Sequence, residues 1–421
     1  MRGPRRMSGS YPVGLSVPRL CLALLAAAAG VVACDPIVVK PLDVPMAKFP
    51  PNGGGSSHNP VGDVLDGGWA EPVPPGLERR PQALPAWGAC IGGWQSMELA
   101  RGTISAGFTL GAGDEGLYAY SRPGGIKTGN VSSDPWLEEP GFRGTPHLAG
   151  LKVDASHALH LLYDARAEDS ELSAPSLVYA GSNAGGRWRR SLVGTGTAMA
   201  FDLDSRGVTH VLYVSDAQGG ELYYANDRLG VWTATDLGVA TDMEGAVLRV
   251  DGLGNSHVVY STLEDSRLHY LTNASGAWVD EEVRAYGYGQ SLDLDVMGVP
   301  HVTFSDGDLW YGVRRDGAWS LSRIRTGADA QTTLAVDQLG MAHLVGADSQ
   351  GTFVLYMTNA KGAWRELPVT SRMKPYSVNL ASERLLSVDS QGRAHIVWVK
   401  VVLIDREGNR DILLQYSRQC P

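Results

Sequence analysis

One short pattern recurs six times and restricts the fold of this chain more than any other feature. In each copy an aspartate precedes a histidine by six residues, and in five copies a glycine stands three residues after the aspartate. Successive histidines lie 50, 47, 44, 42 and 52 residues apart. Such a period is typical of architectures that use one supersecondary unit many times. The six pairs are Asp154/His160, Asp204/His210, Asp251/His257, Asp295/His301, Asp337/His343 and Asp389/His395.

Strand signals surround every copy of the pattern. Apolar residues alternate before each aspartate, as at Leu248 and Val250, and a short β-branched segment follows each histidine. A third segment is centred on a tyrosine, and a fourth opens with a tryptophan after a turn glycine. Four short antiparallel strands per repeat predict an all-β fold, the β-propeller. The tyrosines are Tyr179, Tyr224, Tyr270, Tyr311, Tyr356 and Tyr416.

The two ends of the repeat array complement each other. The last copy stops after its third strand, at Tyr416, and the missing tryptophan strand occurs before the first copy, at 92–99. We therefore predict that this N-terminal strand completes the last blade and closes the ring. A degenerate unit, with strands at 104–110, 117–122 and around Trp136, gives seven blades, and six is the alternative without it. The length of the array favours seven.

A disulfide is predicted at the same closure. Cys90 lies four residues before Trp94, and Cys420 lies four residues after Tyr416. Tyrosine and tryptophan are eight residues apart in an unbroken blade, so both cysteines map to the midpoint of the missing turn. A Cys90–Cys420 bridge would replace the hairpin that the closing blade lacks, and it would persist in an oxidising compartment.

The N-terminus carries a targeting signal rather than part of the fold. Four arginines precede an apolar run at 20–33, which is shorter than the about 20 residues of a permanent membrane span. The run ends on Val31-Val32-Ala33-Cys34, which resembles the lipobox of bacterial lipoproteins; an ordinary secretory signal is the alternative. The resemblance implies a diacylglycerol on Cys34 and a protein anchored to the bacterial cell envelope, in a membrane that it leaves undecided. Loss of the arginines would change the net charge from −9 to −13.

These signals divide the chain into three parts. Residues 1–33 read as a lipoprotein signal peptide, 34–86 as a disordered tether rich in proline and glycine, and 87–421 as the propeller. We expect contact with a membrane through the lipid anchor only, and a monomer. The acidic balance excludes a basic nucleic-acid binder.

Loop lengths separate the two faces of the predicted propeller. The Asp-to-His spacing is constant and the Tyr-to-Trp spacing is 8 or 9, whereas the His-to-Tyr spacing runs from 10 to 21. The fixed turns would share one face and the variable loops the other, where function is usually found. The ligand-binding candidates on the variable face are His147, Glu244, Tyr288, Gln290, Gln331, Arg372, Glu383 and Arg384.

The repeated aspartate and histidine are expected to be structural. Aspartate in such a turn accepts backbone N–H bonds, glycine supplies a positive φ, and the histidine ring could donate to a neighbouring turn. A zinc site needs ligands that converge on one point, whereas blades spread equivalent residues around a ring. No cofactor is expected. The acidic loops, such as those with Asp306 and Asp308, leave calcium binding open beside their reading as solvated turns.

The repeat loosely resembles the Asp-box-like propellers of sialidase-type and lectin-type bacterial proteins. The sialidase-type box has its glycine two residues after the aspartate, whereas here the glycine comes three residues after it. Two classes of function remain: a binding or scaffold module for a glycan or an envelope protein, which we favour, and a polysaccharide lyase or glycosidase. The catalytic candidates for an enzyme are His147, Tyr288, Tyr376 and Arg384.

Overall fold

The fold is described from a computed structural model. It covers residues 87–103, 105–122, 125–131, 133–139, 146–165, 175–182, 188–215, 220–327, 332–347, 353–370, 378–379, 385–403 and 410–421. All regular secondary structure in these residues is β-strand, and every strand pairing is antiparallel.

The strands form four-stranded meanders, numbered here along the chain. Meander 1 is β2 (Ala106–Leu110), β3 (Gly116–Arg122), β4 (Gly125–Asn130) and β5 (Ser133–Glu139); meander 2 is β6 (His147–Val153), β7 (Leu159–Ala165), β8 (Ser176–Ser182) and β9 (Trp188–Thr195). Meander 3 is β10 (Thr197–Leu203), β11 (Thr209–Ser215), β12 (Glu221–Asn226) and the first part of β13 (Thr233–Val250). Meander 4 is the rest of β13 with β14 (Ser256–Thr262), β15 (Leu268–Thr272) and β16 (Val279–Arg284).

The remaining strands continue the same pattern. Meander 5 is β17 (Tyr288–Leu294), β18 (Pro300–Ser305), β19 (Leu309–Arg315) and β20 (Ala318–Arg325); meander 6 is β21 (Thr332–Val336), β22 (Ala342–Ala347), β23 (Val354–Thr358) and β24 (Arg365–Pro368). Meander 7 is β26 (Leu386–Val388), β27 (Ala394–Leu403), β28 (Arg410–Gln419) and β1 (Trp94–Arg101), with β25 (Val378–Asn379) also paired to β27.

Two details differ from the sequence prediction. Meander 1, the degenerate unit, has a complete set of four strands, and the pattern missed β4 because its GIKTGN sequence lacks apolar alternation. The last strand of meander 3 and the first strand of meander 4 are one continuous strand, β13, rather than two strands separated by a loop.

The meanders close into a ring, so the fold is a β-propeller. The first strands contact one another in cyclic order: β2, β6, β10, β13, β17, β21, β26 and again β2. β1 pairs with β28 from Trp94↔Gln419 to Arg101↔Leu413 and so supplies the fourth strand of the closing meander, as predicted. The Cys90–Cys420 disulfide is confirmed beside it, with the two Cα atoms 6.2 Å apart.

The hydrophobic core lies between neighbouring meanders, where sheets pack face to face. Burial of these apolar faces is the main favourable term for such sheets. The tyrosine of one meander meets the tryptophan of the next edge to face, with ring centroids 5.1–5.6 Å apart and interplanar angles of 67–81°. In the last of these five pairs Tyr356 contacts Trp94, so the N-terminal strand extends the series of aromatic contacts to the closing meander.

Candidate functional site

Two faces of the propeller follow from the order of the strands. The fixed-turn face carries the turns that join the first and second strands and those that join the third and fourth strands of each meander. The variable-face loops join the second and third strands, and connect one meander to the next. Side-chain contacts between successive Asp turns, such as Ser205 Oγ donating to the Gly252 carbonyl at 3.2 Å, show that these turns adjoin each other on one face.

Each repeated aspartate caps its own turn. In all six copies Oδ1 accepts the backbone N–H groups of the residues two and four positions later, at 2.8–3.0 Å. The residue three positions later has a positive φ of 75–86° in the five glycine copies and 64° at His157. One carboxylate oxygen therefore satisfies two N–H groups that the tight turn leaves without strand partners.

Each repeated histidine joins its aspartate to the tyrosine of the third strand. Nδ1 lies 2.5–2.6 Å from the tyrosine hydroxyl in five copies, and His160 makes the same contact with Tyr179. Nε2 lies 3.1–3.9 Å from the aspartate Oδ2. The sequence indicated the turn but gave no sign of the tyrosine partner.

Burial favours the neutral form of the repeat histidine in every copy. Burial lowers the pKa of all six histidines, and the nearby aspartates only partly offset it. Burial also raises the pKa of Tyr179, Tyr270, Tyr311 and Tyr356 to about 12. The tyrosine O–H then donates to Nδ1, and the Nε2–H points to the carboxylate. Both ring nitrogens are hydrogen-bonded in His257, His343 and His395, whereas the Nε2 atoms of His160, His210 and His301 are buried near the carboxylate without a hydrogen bond. The histidines are thus enclosed within the fold, so the network is structural.

Buried ion pairs between meanders were missed by sequence reasoning. Lys152 Nζ lies 2.7 Å from Asp202 Oδ1, and Arg249 Nε lies 3.4 Å from Asp293 Oδ1. Asp202 also accepts the N–H of Val250 at 3.1 Å, and Asp293 that of Val336 at 2.8 Å. These four charged residues all stand two positions before a repeat aspartate, a regularity that could have revealed them. They link the inner strands rather than form an accessible site.

Three of the predicted ligand-binding residues have described side chains. His147 is exposed at the start of β6, with Nδ1 3.2 Å from Asp164 Oδ2. Tyr288 begins β17 and is half-buried. Gln290 is buried: its amide donates to the Gly245 carbonyl and accepts from Ser261 Oγ at 3.0 Å. Gln290 therefore holds the loop backbone through both ends of its amide, and its role as a ligand contact stays a prediction.

The side chains of the other predicted site residues are not among those that the structure describes. Gln331, Arg372, Tyr376, Glu383, Arg384 and Cys34 lie outside the described residues, and so does the Glu244 side chain. His147 and Tyr288 belong to meanders 2 and 5, which are separated in the ring by meanders 3 and 4. The two described members of the proposed catalytic set therefore lie on separate parts of the ring.

A different group of polar and aromatic side chains meets on the variable face between meanders 4 and 5. We call Arg284, Tyr286, Tyr288, Asp306 and Trp310 the variable-face cluster. Asp306 accepts the Trp310 indole N–H at 2.7 Å and an Arg284 N–H at 2.9 Å. The Arg284 guanidinium lies 4.5 Å from the centroid of the Trp310 ring. The sequence placed Asp306 in an acidic loop but could not show its cationic and aromatic partners.

The cluster combines a rigid aromatic part with an exposed one. Trp310 is also stacked on Phe304, its partner on the neighbouring strand, with the ring planes 7° apart, so the orientation of the indole is fixed. Tyr286 is 50% exposed and packs edge to face on Tyr288 at 5.7 Å. Burial alone would raise the pKa of Asp306, but hydrogen bonds from Trp310 and Arg284 outweigh it and lower that pKa. The cluster therefore presents an ionised acceptor, a cation and aromatic rings.

The described residues show neither a cluster of metal ligands nor a membrane-spanning helix. Within the described residues, no three His, Cys, Asp or Glu side chains are grouped closely enough to hold a metal ion. The part of the chain that the structure describes also contains no helix suited to crossing a bilayer.

Comparisons with known proteins give the fold alone. No protein-family model matches the chain, and no curated protein matches it in sequence. Solved structures that it resembles include the Aleuria aurantia lectin AAL in complex with Fucα1-6GlcNAc, at 11% identity over 63% of this chain and 94% of that one, with a TM-score of 0.40. A polysaccharide lyase of family PL25, an ulvan lyase, is 10% identical over 72% and 92%, with a TM-score of 0.46. The β-propeller domain of Swd1 from Myceliophteria thermophila is 12% identical over 75% and 99%, with a TM-score of 0.46.

Proposed function

We propose that this protein is a lipid-anchored propeller of the bacterial cell envelope that binds a glycan through its variable face without transforming it. The observation that carries the proposal is the variable-face cluster. Sugar rings present C–H surfaces that pack on aromatic side chains, and their hydroxyl groups pair with charged donors and acceptors. Tyr286, which is half exposed, supplies the first kind of surface, and Arg284 and Asp306 supply the second. An envelope protein is the alternative partner for the same face.

Binding rather than catalysis follows from how the charged groups are held. Asp306 is ionised and accepts hydrogen bonds from three donors, which are Arg284, Trp310 and the backbone N–H of Asp308, so it is suited to accept hydrogen bonds and poorly suited to deliver a proton. A lyase would need a base beside a group that neutralises the substrate carboxylate. His147, the base candidate, lies two meanders before the cluster in the ring.

The binding proposal is tested by titrating glycans identified on an array into the purified mature protein. Tyr286→Ala and Arg284→Ala should each weaken binding about tenfold or more, because each removes an aromatic contact or a charge-assisted hydrogen bond. Arg228→Ala, which removes an exposed arginine from the fixed-turn face, is the matched control and should bind as the wild type does. Equal affinity in all three variants would contradict the assignment.

The same preparations test the enzyme alternative. Incubation with the bound polysaccharide should give no new reducing ends and no unsaturated uronate absorbance. Turnover that is lost in His147→Ala, with folding intact, would replace the binding proposal with an enzyme.

Anchoring is tested separately through Cys34. We expect the wild type to incorporate a fatty-acid analogue and to fractionate with membranes, because the end of its signal resembles a lipobox. Cys34→Ala should lose both the label and the membrane association. A wild-type protein that takes up no label would remove the anchor from the proposal.

A further inference from the structure

The most exposed large apolar side chains in the described part of the chain share one face. Among the described residues, six large apolar side chains are exposed by 71–82%, and all six lie in fixed turns. By contrast Tyr286, Leu263 and Leu367, which belong to other parts of the surface, are exposed by 43–52%. Exposed apolar groups gathered on one face mark an interaction surface. The six are Ile91, Leu229, Leu253, Val296, Met297 and Leu339.

Three of these side chains occupy the same position in consecutive meanders. Leu253, Met297 and Leu339 each stand two residues after a repeat aspartate, at the outer tip of the turn. The turns adjoin: a Cβ added at Gly298 would lie 3.5 Å from Asp251 Cβ, and one added at Gly340 would lie 3.9 Å from Asp295 Oδ2. The three tips therefore stand on neighbouring turns, as an apolar row of separate side chains along meanders 4 to 6.

Exposed cations accompany this row. Arg228, Arg315 and Lys361 are exposed in the outer fixed turns of meanders 3, 5 and 6, although the chain as a whole has a net charge of −9. Asp316 is an exposed acidic neighbour, and the half-buried Asp251, Asp295 and Asp337 stand in the turns of the row itself, where backbone N–H groups bind their carboxylates. Apolar tips interspersed with Lys and Arg are the combination by which peripheral proteins enter the interfacial region of an anionic bilayer.

The chain that leads to the proposed anchor reaches the propeller near this face. Trp87, the first described residue, packs under the Arg418 guanidinium at 3.7 Å, and Ile91 and Cys90 lie in the closing fixed turn. Fifty-two residues separate Cys34 from Trp87. Since a chain can span up to about 3.3–3.6 Å per residue, a stretch of that length is long enough for an anchor on Cys34 to hold the fixed turns near the bilayer at high effective concentration.

We propose that the fixed-turn face docks on the lipid bilayer, with the apolar tips in the headgroup region and the variable face directed away from it. Separate protruding tips suit a soft surface, whereas a second copy of the chain would need a complementary, closely packed patch. The inference depends on the proposed function at one point only: the proposed lipid anchor decides which membrane this face would contact. It departs from our expectation of membrane contact through the lipid alone.

The experiment uses the mature-length chain with Cys34→Ser, so that no acyl chain contributes. We expect it to sediment with vesicles of phosphatidylethanolamine and phosphatidylglycerol. A combined Leu253→Ser, Met297→Ser and Leu339→Ser variant should partition at least about tenfold less, because three apolar tips no longer insert. The change is tolerable for folding, since Ser156, Arg206 and Gln391 occupy the equivalent positions of other copies. Leu263→Ser with Leu367→Ser is the matched control and should partition as the parent does.

A second readout reports the orientation directly. Both propeller cysteines are in the disulfide, so a cysteine introduced as Leu339→Cys can be labelled with a polarity-sensitive fluorophore. Its emission should shift to the blue on vesicle addition, whereas a fluorophore at Leu263→Cys should not respond.

Absence of vesicle binding, or equal binding by the combined variant, would overturn the proposal. So would concentration-dependent dimers without vesicles that the combined variant abolishes, because they would assign the face to a second copy. Glycan binding is measured in the same proteins without vesicles, so a failure of the glycan-binding proposal is distinguished from a failure of the docking proposal.

Discussion

Removal of the Cys90–Cys420 disulfide should destabilise the propeller more than the loss of any single surface contact. The bridge joins two residues that are 330 positions apart and ties β1, the N-terminal strand, to the last strand. Without it β1 would keep its ladder with β28, the 2.8 Å contact between Ser96 Oγ and Ser417 Oγ, and the packing of Trp94 on Tyr356. The native fold should therefore persist, and the effect should fall mainly on the unfolded chain.

The sequence separation sets the size of the effect. In the chain-entropy model a loop of this length is worth about 6 kcal/mol at 25 °C, and removal of a native disulfide typically costs about 2–5 kcal/mol in practice. We expect the free energy of unfolding to fall by about 2–6 kcal/mol in a Cys90→Ser, Cys420→Ser double variant. That range covers much of the whole stability of an ordinary domain.

The measurement is urea unfolding followed by circular dichroism and tryptophan fluorescence. The reduced wild type should match the double variant, because both lack the cross-link and keep the same strands. Val279→Ala, which truncates an exposed side chain, is a control that should unfold close to the wild type. A loss below about 1 kcal/mol in the double variant would refute the reasoning, because closure would then depend on strand pairing alone.

Two further predictions concern the repeat turns. His157→Gly should stabilise the protein by about 0.5–1 kcal/mol. The left-handed φ of 64° costs a non-glycine residue about 1–2 kcal/mol, and the greater conformational entropy that glycine gives the unfolded chain offsets part of that gain. An unchanged or lower urea midpoint would contradict this. The free energy of unfolding should also fall as the pH drops from about 7 to 5. Burial lowers the pKa of the six repeat histidines in the folded protein, so they stay neutral over a range in which the same histidines in the unfolded chain, with a pKa near 6.5, bind protons. Urea midpoints at the two pH values measure it, and a midpoint that rises on acidification would contradict it.

The sequence predicted features that every repeat must contain. A capped turn, a buried tyrosine and a tryptophan after a glycine recur because each meander meets the same neighbours on both sides. The closing strand and the disulfide could be predicted for the same reason, since an interrupted repeat shows what is missing at each end. The strand β4 was missed because the GIKTGN segment has neither the period nor the residues of the other repeats.

Contacts between different copies were harder to predict. The Lys152–Asp202 and Arg249–Asp293 pairs each join two meanders, and the two remaining copies have the uncharged Ala335 and Ser387 at the same position. The Arg284–Asp306–Trp310 group likewise joins the end of one meander to a loop of the next. One sequence without its three-dimensional arrangement does not show which residues of separate copies face each other.

The position two residues after each repeat aspartate explains how one turn can serve both structure and function. Its backbone N–H is bound by the aspartate in every copy, so the turn is already stable whatever side chain stands there. That side chain projects from the tip, and the six copies place Ser156, Arg206, Leu253, Met297, Leu339 and Gln391 there. Because the cap depends on the aspartate and the backbone, polar and apolar residues are equally compatible with folding. The three consecutive apolar choices therefore need a cause outside the fold, and a surface that the propeller rests on supplies one.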